Sequence, residues 1–452
     1  MNQFLKKILR INNKEQKPTY SEIYETECSK AKIKEYDGEV YSGFLKIKST
    51  NFPSCIGYLF YGAKGVKKQD LNRYPTIIWL CGGPGMSSQN SNFNGIGPLY
   101  IKEVNKDVFK KIKNQQSWTN YFNVVFIDQP VGVGLSYVKI ANDIPATLEQ
   151  LANQFCLALL ELYDNEKSCM KQLGISRIDN PLFIYGESFA GKYIPSIAEK
   201  IVKDGNQFNL VGVGLLDANI QPFYVMVEQN QYLFDLKLIS EEQYQKNLLV
   251  IEAFKSPLSS KDSLTLRQIY QQYLNFTFKN APADKIYNYK SCKKQYSNFN
   301  LDAFMNQQQT CDMFQLTLKE PYKDFFEESY NFLNWNIVQD TTPKIEFLLQ
   351  NEIHVHIMNG DLDLLVPYKS QQLWIDQLNW VHAEKFKSLD VQIQLNSKGD
   401  KIGSSKQTEN LTFDQVYESG HFIYFDQPES ALIFLKKNIQ LVLNNLNQIK
   451  KQ

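Results

Sequence analysis

The chain lacks several features that would each have pointed to a class of function. It has only four histidines in 452 residues, so a histidine-rich metal centre has few ligands to draw on. None of its seven cysteines forms a C-x-x-C pair, and no structural zinc site is expected. Charge of one sign is missing too: 49 Lys and Arg offset 48 Asp and Glu, for a net +1. The charge clusters are short and mixed, so there is no general pull toward nucleic acid or acidic membranes. No apolar run approaches the ~18 residues of a membrane span. There is no internal repeat and no low-complexity tract beyond residues 306–310, "NQQQT".

What is present fits a folded chain of one large domain with an insertion, or of two or three ordinary domains. A hydrophobic content of 43% with 13% aromatics supports a substantial core. Near the N-terminus Phe4, Leu5, Ile8 and Leu9 share a helical face, with Lys6, Lys7 and Arg10 elsewhere and no acid before Glu15. Residues 1–20 are therefore read as a basic arm or targeting segment; the pattern resembles a mitochondrial presequence. The odd cysteine count leaves at least one thiol unpaired in a monomer, and Cys292 and Cys311 are close enough to bridge one loop.

Continuous apolar runs at 75–80, 123–127, 181–185 and 209–216 predict strands covered on both faces. Short alternating runs at 39–60 predict antiparallel strands, and 352–360 and 389–395 predict late ones. Helical spacing at 145–173 and 194–202 falls between the runs, giving an α/β fold with a mostly parallel sheet. Alternation stops between Pro222 and Asn336, a stretch rich in Gln, Asn, Tyr, Lys and Phe. The expected organisation is a core of residues 21–221 and 337–452, with 222–336 a mainly helical insertion over the sheet's carboxyl edge.

The segment "YGESFAGKYIP", 185–195, places Ser188 between Gly186 and Gly191 where a strand turns into a helix. G-x-S-x-G is the spacing of a turn sharp enough to lift a serine hydroxyl clear of the backbone. A serine needs a base, and the base needs an acid to hold its tautomer. Downstream come "MNGDLDLLVP", with Asp361 or Asp363 at a strand end, and "YESGHFIYFDQP", with His421 in a loop. Nucleophile, acid, base is the chain order of α/β-hydrolases. His354 and His356 alternate along a strand but lack a third ligand, and His382 is read as structural. The glycines of "WLCGGPGMSS", 79–88, let a backbone approach a bound carbonyl, with the residue after the nucleophile, Phe189, giving a second N–H.

Five blocks, "WLCGGPGMSS", "FIDQPVGVGLSY", "YGESFAGKYIP", "NGDLDLLVP" and "SGHFIYFDQP", resemble the signatures of the serine carboxypeptidase family, in its order, from about residue 20 to 443. The resemblance implies an α/β-hydrolase fold with a helical lid, no cofactor or metal, and peptide substrates trimmed from the C-terminus. It also leaves a homodimer open and implies a lysosomal, vacuolar or secreted setting, for which Asn275 and Asn410 offer glycosylation sequons. By motif it makes Ser188 the nucleophile, His421 the base and Asp363 the orienting acid, with the Gly83 and Phe189 N–H groups as the oxyanion hole. Trp79, Cys81, Gly82 and Glu187 would meet the substrate carboxylate. A carboxylate sits beside Glu187 only if the pair shares a proton, which implies an acidic pH preference. Two positions depart from the family pattern. Cys81 stands where the family has Asn or Gln, which keeps an esterase or acyltransferase in view beside a non-catalytic scaffold. Met86 stands at a frequent half-cystine, so the disulfide tying that loop to the insertion is missing.

Overall fold

The computed structural model describes residues 25–48, 54–260, 262–278, 283–290 and 299–449; the N-terminal segment read as an arm lies outside them. Among the described residues thirteen strands form: β1 (Glu27–Ala31), β2 (Val40–Lys46), β3 (Cys55–Tyr61), β4 (Thr76–Leu80), β5 (Leu99–Asn105), β6 (Val108–Lys113) and β7 (Asn123–Asp128). They continue with β8 (Leu182–Glu187), β9 (Leu210–Leu216), β10 (His354–Gly360), β11 (Gln392–Leu395), β12 (Lys401–Gln407) and β13 (Leu411–Val416). Eleven of them make one sheet, ordered β1-β2-β3-β7-β4-β8-β9-β10-β13-β12-β11. The six strands from β7 to β13 are parallel, flanked by antiparallel pairs on both sides.

The apolar runs became the buried middle of this sheet: β4, β7, β8, β9 and β10 are buried along their whole length. Helices cover both faces, as an apolar parallel sheet requires. Helix Leu148–Asp164 starts at a Thr147–Gln150 capping box and buries Leu151, Phe155, Leu159 and Leu162. It shares one core with helix Ala190–Lys203, while helix Pro428–Ile449 buries Phe434, Leu435 and Ile439 on the opposite face. The expected strand at 389–395 is only the short, mostly exposed edge strand β11. The strand that leads to His421 is β13, whose polar Thr412, Asp414 and Gln415 hid it from the apolar pattern.

The segment expected to be one helical insertion has two parts. Helices Pro222–Asp235, Glu241–Ser260 and Ser263–Phe278 build a small core of their own around Met226, Phe254, Leu266 and Tyr273. Residues 299–326 instead dock on the sheet: Phe304, Phe314 and Tyr322 join its second core, and Ser42 Oγ donates to Phe314 O at 2.6 Å. Phe304 packs there against Phe109 of β6, and both Phe304 and Phe314 pack against Phe93. This second part also fastens the 79–88 loop, with Ser87 N donating to Asp324 O (2.8 Å) and Phe326 N to Gly85 O (2.9 Å). Where the family pattern has a half-cystine, Met86 lies in this two-bond backbone bridge opposite Phe325.

Candidate active site

Each functional loop leaves the carboxyl end of a parallel strand, where ligands bind in such sheets. Ser188 follows β8 with φ of 59°, the left-handed region that costs a non-glycine residue energy. Three backbone bonds hold it there: Ser188 N donates to Leu216 O, and Ser188 O accepts from Gly191 N and Asn219 N, each at 3.0 Å. The flanking glycines are steric necessities. A Cβ on Gly186 would lie 2.2 Å from Leu80 O, and one on Gly191 2.7 Å from Asn219 O.

His421 follows β13 and is buried, its main-chain N–H donating to Tyr287 O at 2.7 Å and its ring lying beside the Tyr287 and Phe422 rings. Its Nδ1 meets Asp363 Oδ2 at 2.7 Å, and Asp363 Oδ1 accepts from Leu365 N at 2.7 Å. Asp361 instead accepts from Ser419 N and braces the loop before the histidine. Burial alone would lower the His421 pKa, but the charge and hydrogen bond of Asp363 outweigh it and raise it. Ser188, whose hydroxyl is the candidate nucleophile, lines a cavity of about 400 Å³ together with Gly83, Phe189 and Tyr287. The hydroxyl makes no hydrogen bond among the described residues, so the contact expected to His421 is not closed in this structure. Nor do the Gly83 and Phe189 N–H groups have an acceptor among the described residues.

Beside the turn sits Glu187, fully buried. Its Oε1 accepts from Cys81 Sγ (3.2 Å), Ser91 Oγ (3.0 Å) and Tyr424 OH (3.0 Å), while its buried Oε2 has no partner. Burial pushes this carboxyl up, against the pull of His421 and of those three donors. Burial, and then the Glu187 charge, also hold Cys81 well above the usual thiol range, so it stays a protonated donor. Gly82 abuts the nucleophile turn, where a Cβ would fall 2.6 Å from Phe189 N. Trp79 stands one layer back. Its ring packs edge-on against Trp118 and Tyr424, and it reaches the site only through Tyr424.

Sequence reasoning missed three neighbours: Ser91, Tyr424 and Asp217. Asp217, just past β9, accepts from Gly360 N at 2.8 Å, and its Oδ2 is buried without a partner. Oxygens of Asp217 and Asp363 and a ring nitrogen of His421 lie within 4.8 Å of one another. Burial first, and then the Asp363 charge, push Asp217 well above the usual carboxylate range. "Two buried acids at neighbouring strand ends" was the only available signal, and it requires the sheet order to read.

The other histidines bind protein groups. His354 Nε2 meets Thr412 Oγ1 and Asn438 Oδ1, while His356 meets Asp414 Oδ2 at 2.8 Å and Tyr185 OH at 3.1 Å. They thus pin β10 to β13, β8 and the last helix. His382 packs on Trp380 at the start of helix Ala383–Ser388. Cys311 carries a free thiol whose Sγ faces Met305 O; Cys292, the partner expected for it, lies outside the described residues. Asn275 is exposed, whereas the Asn410 amide donates to Leu349 O and is half-buried. Among the described residues no helix is long and apolar enough to cross a membrane.

Comparison with known proteins places the family and the fold. Residues 31–440 match the family model described as serine carboxypeptidase. Serine carboxypeptidase-like 47 of Arabidopsis thaliana is 26% identical over 415 residues, 88% of this chain and 78% of that one. Carboxypeptidase Y of Komagataella phaffii is 28% identical over 421 residues, covering 86% and 74%. A solved prohormone-processing carboxypeptidase of Saccharomyces cerevisiae superposes with a TM-score of 0.72 at 20% identity, covering 88% of this chain and 92% of that one. The fold is that of an α/β-hydrolase with an insertion, and the chain belongs to the serine carboxypeptidase family.

Proposed function

We propose that the chain releases residues from peptide C-termini through an acyl-enzyme on Ser188, with His421 as base and Asp363 as its orienting acid. The observation that carries this reading is the buried His421–Asp363 bond behind a strained serine turn with two unused N–H donors. His421 takes the Ser188 proton as Oγ attacks the scissile carbonyl; the Gly83 and Phe189 N–H groups receive the developing oxyanion. The imidazolium then protonates the leaving amine, and water hydrolyses the ester by the same route in reverse.

The terminal carboxylate would rest against Gly82 and Glu187, one proton shared between the two acids, with Cys81 acting only through Glu187. Such pairing favours mildly acidic conditions, which fits a lysosomal, vacuolar or secreted setting; finding glycan on Asn275 tests that setting. Helices 222–278 and residues 327–338 are read as the lid that narrows access to chain ends. A fluorophosphonate probe should label the wild-type protein and not Ser188→Ala, and the wild type should release free C-terminal amino acids. An esterase or acyltransferase is the second reading, favoured by the weak thiol donor at Cys81. Turnover of esters without any release from free-acid peptides would select it.

A further inference from the structure

The Ser188 cavity has one charged residue on its wall among the described residues, and that residue is a cation without a counter-ion. Arg267, on helix Ser263–Phe278, lines the cavity and also the groove that continues outward past Gln268 and Asn275. It makes no ion pair or hydrogen bond among the described residues, and its Nε is buried without a partner. Its guanidinium carbon lies 5.4 Å from the centre of the Trp335 ring. Stacking of this kind holds the guanidinium plane while leaving its N–H fork free. The remaining walls are neutral: Phe189, Leu274, Ile337 and Val366 are apolar, and Gln271 and Asn334 carry amides. A buried, unpaired donor on an otherwise neutral wall is costly unless an acceptor arrives with the ligand.

The direction of the cavity says which part of a substrate enters it. Gly83, Ser188 and Phe189 line it, so it opens at the point where the scissile carbonyl would sit. None of Cys81, Glu187, Ser91 and Tyr424, the cluster proposed for the terminal carboxylate, is on its wall. With the departing residue on that side, the cavity takes the side chain of the residue that becomes the acyl group. We propose that Arg267 is a specificity residue that selects substrates with an acidic side chain, glutamate or aspartate, at the penultimate position. A carboxylate there would accept from the guanidinium fork, and a charge-assisted pair outweighs a neutral amide contact.

The inference rests on the acyl-enzyme reading of Ser188 but not on the exopeptidase one, because the acyl side is common to peptides and esters. The test measures kcat/KM for N-blocked dipeptides ending in leucine, with Glu, Gln or Lys at the penultimate position. The ethyl esters of N-blocked Glu, Gln and Lys are measured alongside. The wild type should prefer Glu over Gln by about tenfold, which corresponds to about 1.4 kcal/mol, and should turn over Lys worst. The Glu preference should shrink in high salt, as a partly exposed ion pair does. In Arg267→Gln the Glu-to-Gln ratio should fall to near one, and in Arg267→Glu the Lys substrate should overtake the Glu substrate. Melting curves on both variants separate a changed preference from a misfolded lid. Equal Glu and Gln rates in the wild type, or an unchanged ratio in a folded Arg267→Gln, would overturn the proposal. The same preference seen on esters but with no peptide cleavage would uphold Arg267 and overturn the carboxypeptidase reading. Inertness toward every substrate overturns both.

Discussion

Replacing Asp217 by asparagine tests whether the acid beside the triad carries a proton. The nearest atoms of Asp217, Asp363 and His421 lie within 4.8 Å of one another. Two negative charges at that separation repel by about 3.5 kcal/mol at an effective dielectric of about 20. Asp217 has no cation of its own to offset this, only the Gly360 N–H at 2.8 Å and an Oδ2 with no partner. The expectation is that the pair holds a single charge, resident on Asp363 beside the imidazole, with Asp217 neutral, since burial and the Asp363 charge both push Asp217 up. An asparagine in its place would then be close to an isostere. The new side-chain oxygen keeps the Gly360 bond, the amide keeps a donor, and asparagine tolerates the φ of 42° seen here. Asp217→Ala, by contrast, strands a buried Gly360 N–H, at about 1–3 kcal/mol, in addition to strain at a positive φ. The assay is kcat/KM on an ester from about pH 4 to 8, with urea unfolding of both variants. Asp217→Asn should keep the wild-type acid limb and most of the stability, while Asp217→Ala should lose stability. If Asp217 were ionised, removing its charge would lower the His421 pKa and move the acid limb clearly downward. That shift would refute the reasoning.

Gly186→Ala would drive a Cβ to 2.2 Å from Leu80 O on the neighbouring strand and 2.9 Å from Ala190 Cβ. It should lower the urea midpoint by an amount equivalent to about 1–3 kcal/mol or more, together with probe labelling of Ser188. For free-acid peptides kcat/KM should rise as His421 loses its proton and fall as Glu187 loses its own, since both groups are held above their ordinary pKa. Esters and amides, having no carboxylate to pair with Glu187, should lack the falling limb. Lys192 is fully buried, donates to Ile220 O and Gln339 O, and has its pKa lowered by burial to about 7. Between that value and its unfolded one the unfolded chain binds the extra proton, so the lysine's contribution grows as pH rises. Urea unfolding should show wild type gaining stability relative to Lys192→Met from about pH 7 upward, and a flat difference would count against the lowered pKa of the buried lysine.

Much of the site was legible in the sequence because its chemistry is written locally. Gly186 and Gly191 are demanded by atoms within touching distance of one turn, so the G-x-S-x-G spacing carried the conformation of Ser188. The fully buried strands declared themselves by unbroken apolar runs. Elements whose burial is shared with polar partners did not: β13 is buried through Thr412 and Asp414, which face His354 and His356. The division of the expected insertion, residues 222–336, was equally hidden, because whether Phe304 and Phe314 cover a lid or the sheet depends on where the chain returns.

The sequence by itself offered the candidate reacting groups, their chain order and the G-x-S-x-G turn, since residue types and spacing are read along the chain; the atoms that hold that turn, Leu80 O, Leu216 O and Asn219, come from neighbouring segments. Only the tertiary structure brought Asp363 onto His421 Nδ1, set Asp217 beside them, and made Cys81, Ser91 and Tyr424 converge on one oxygen of Glu187. It also set the unpaired Arg267 on the cavity wall. Those meetings join residues far apart along the chain. Strand order, register and the path of the insertion bring them within reach, and no local spacing encodes any of the three.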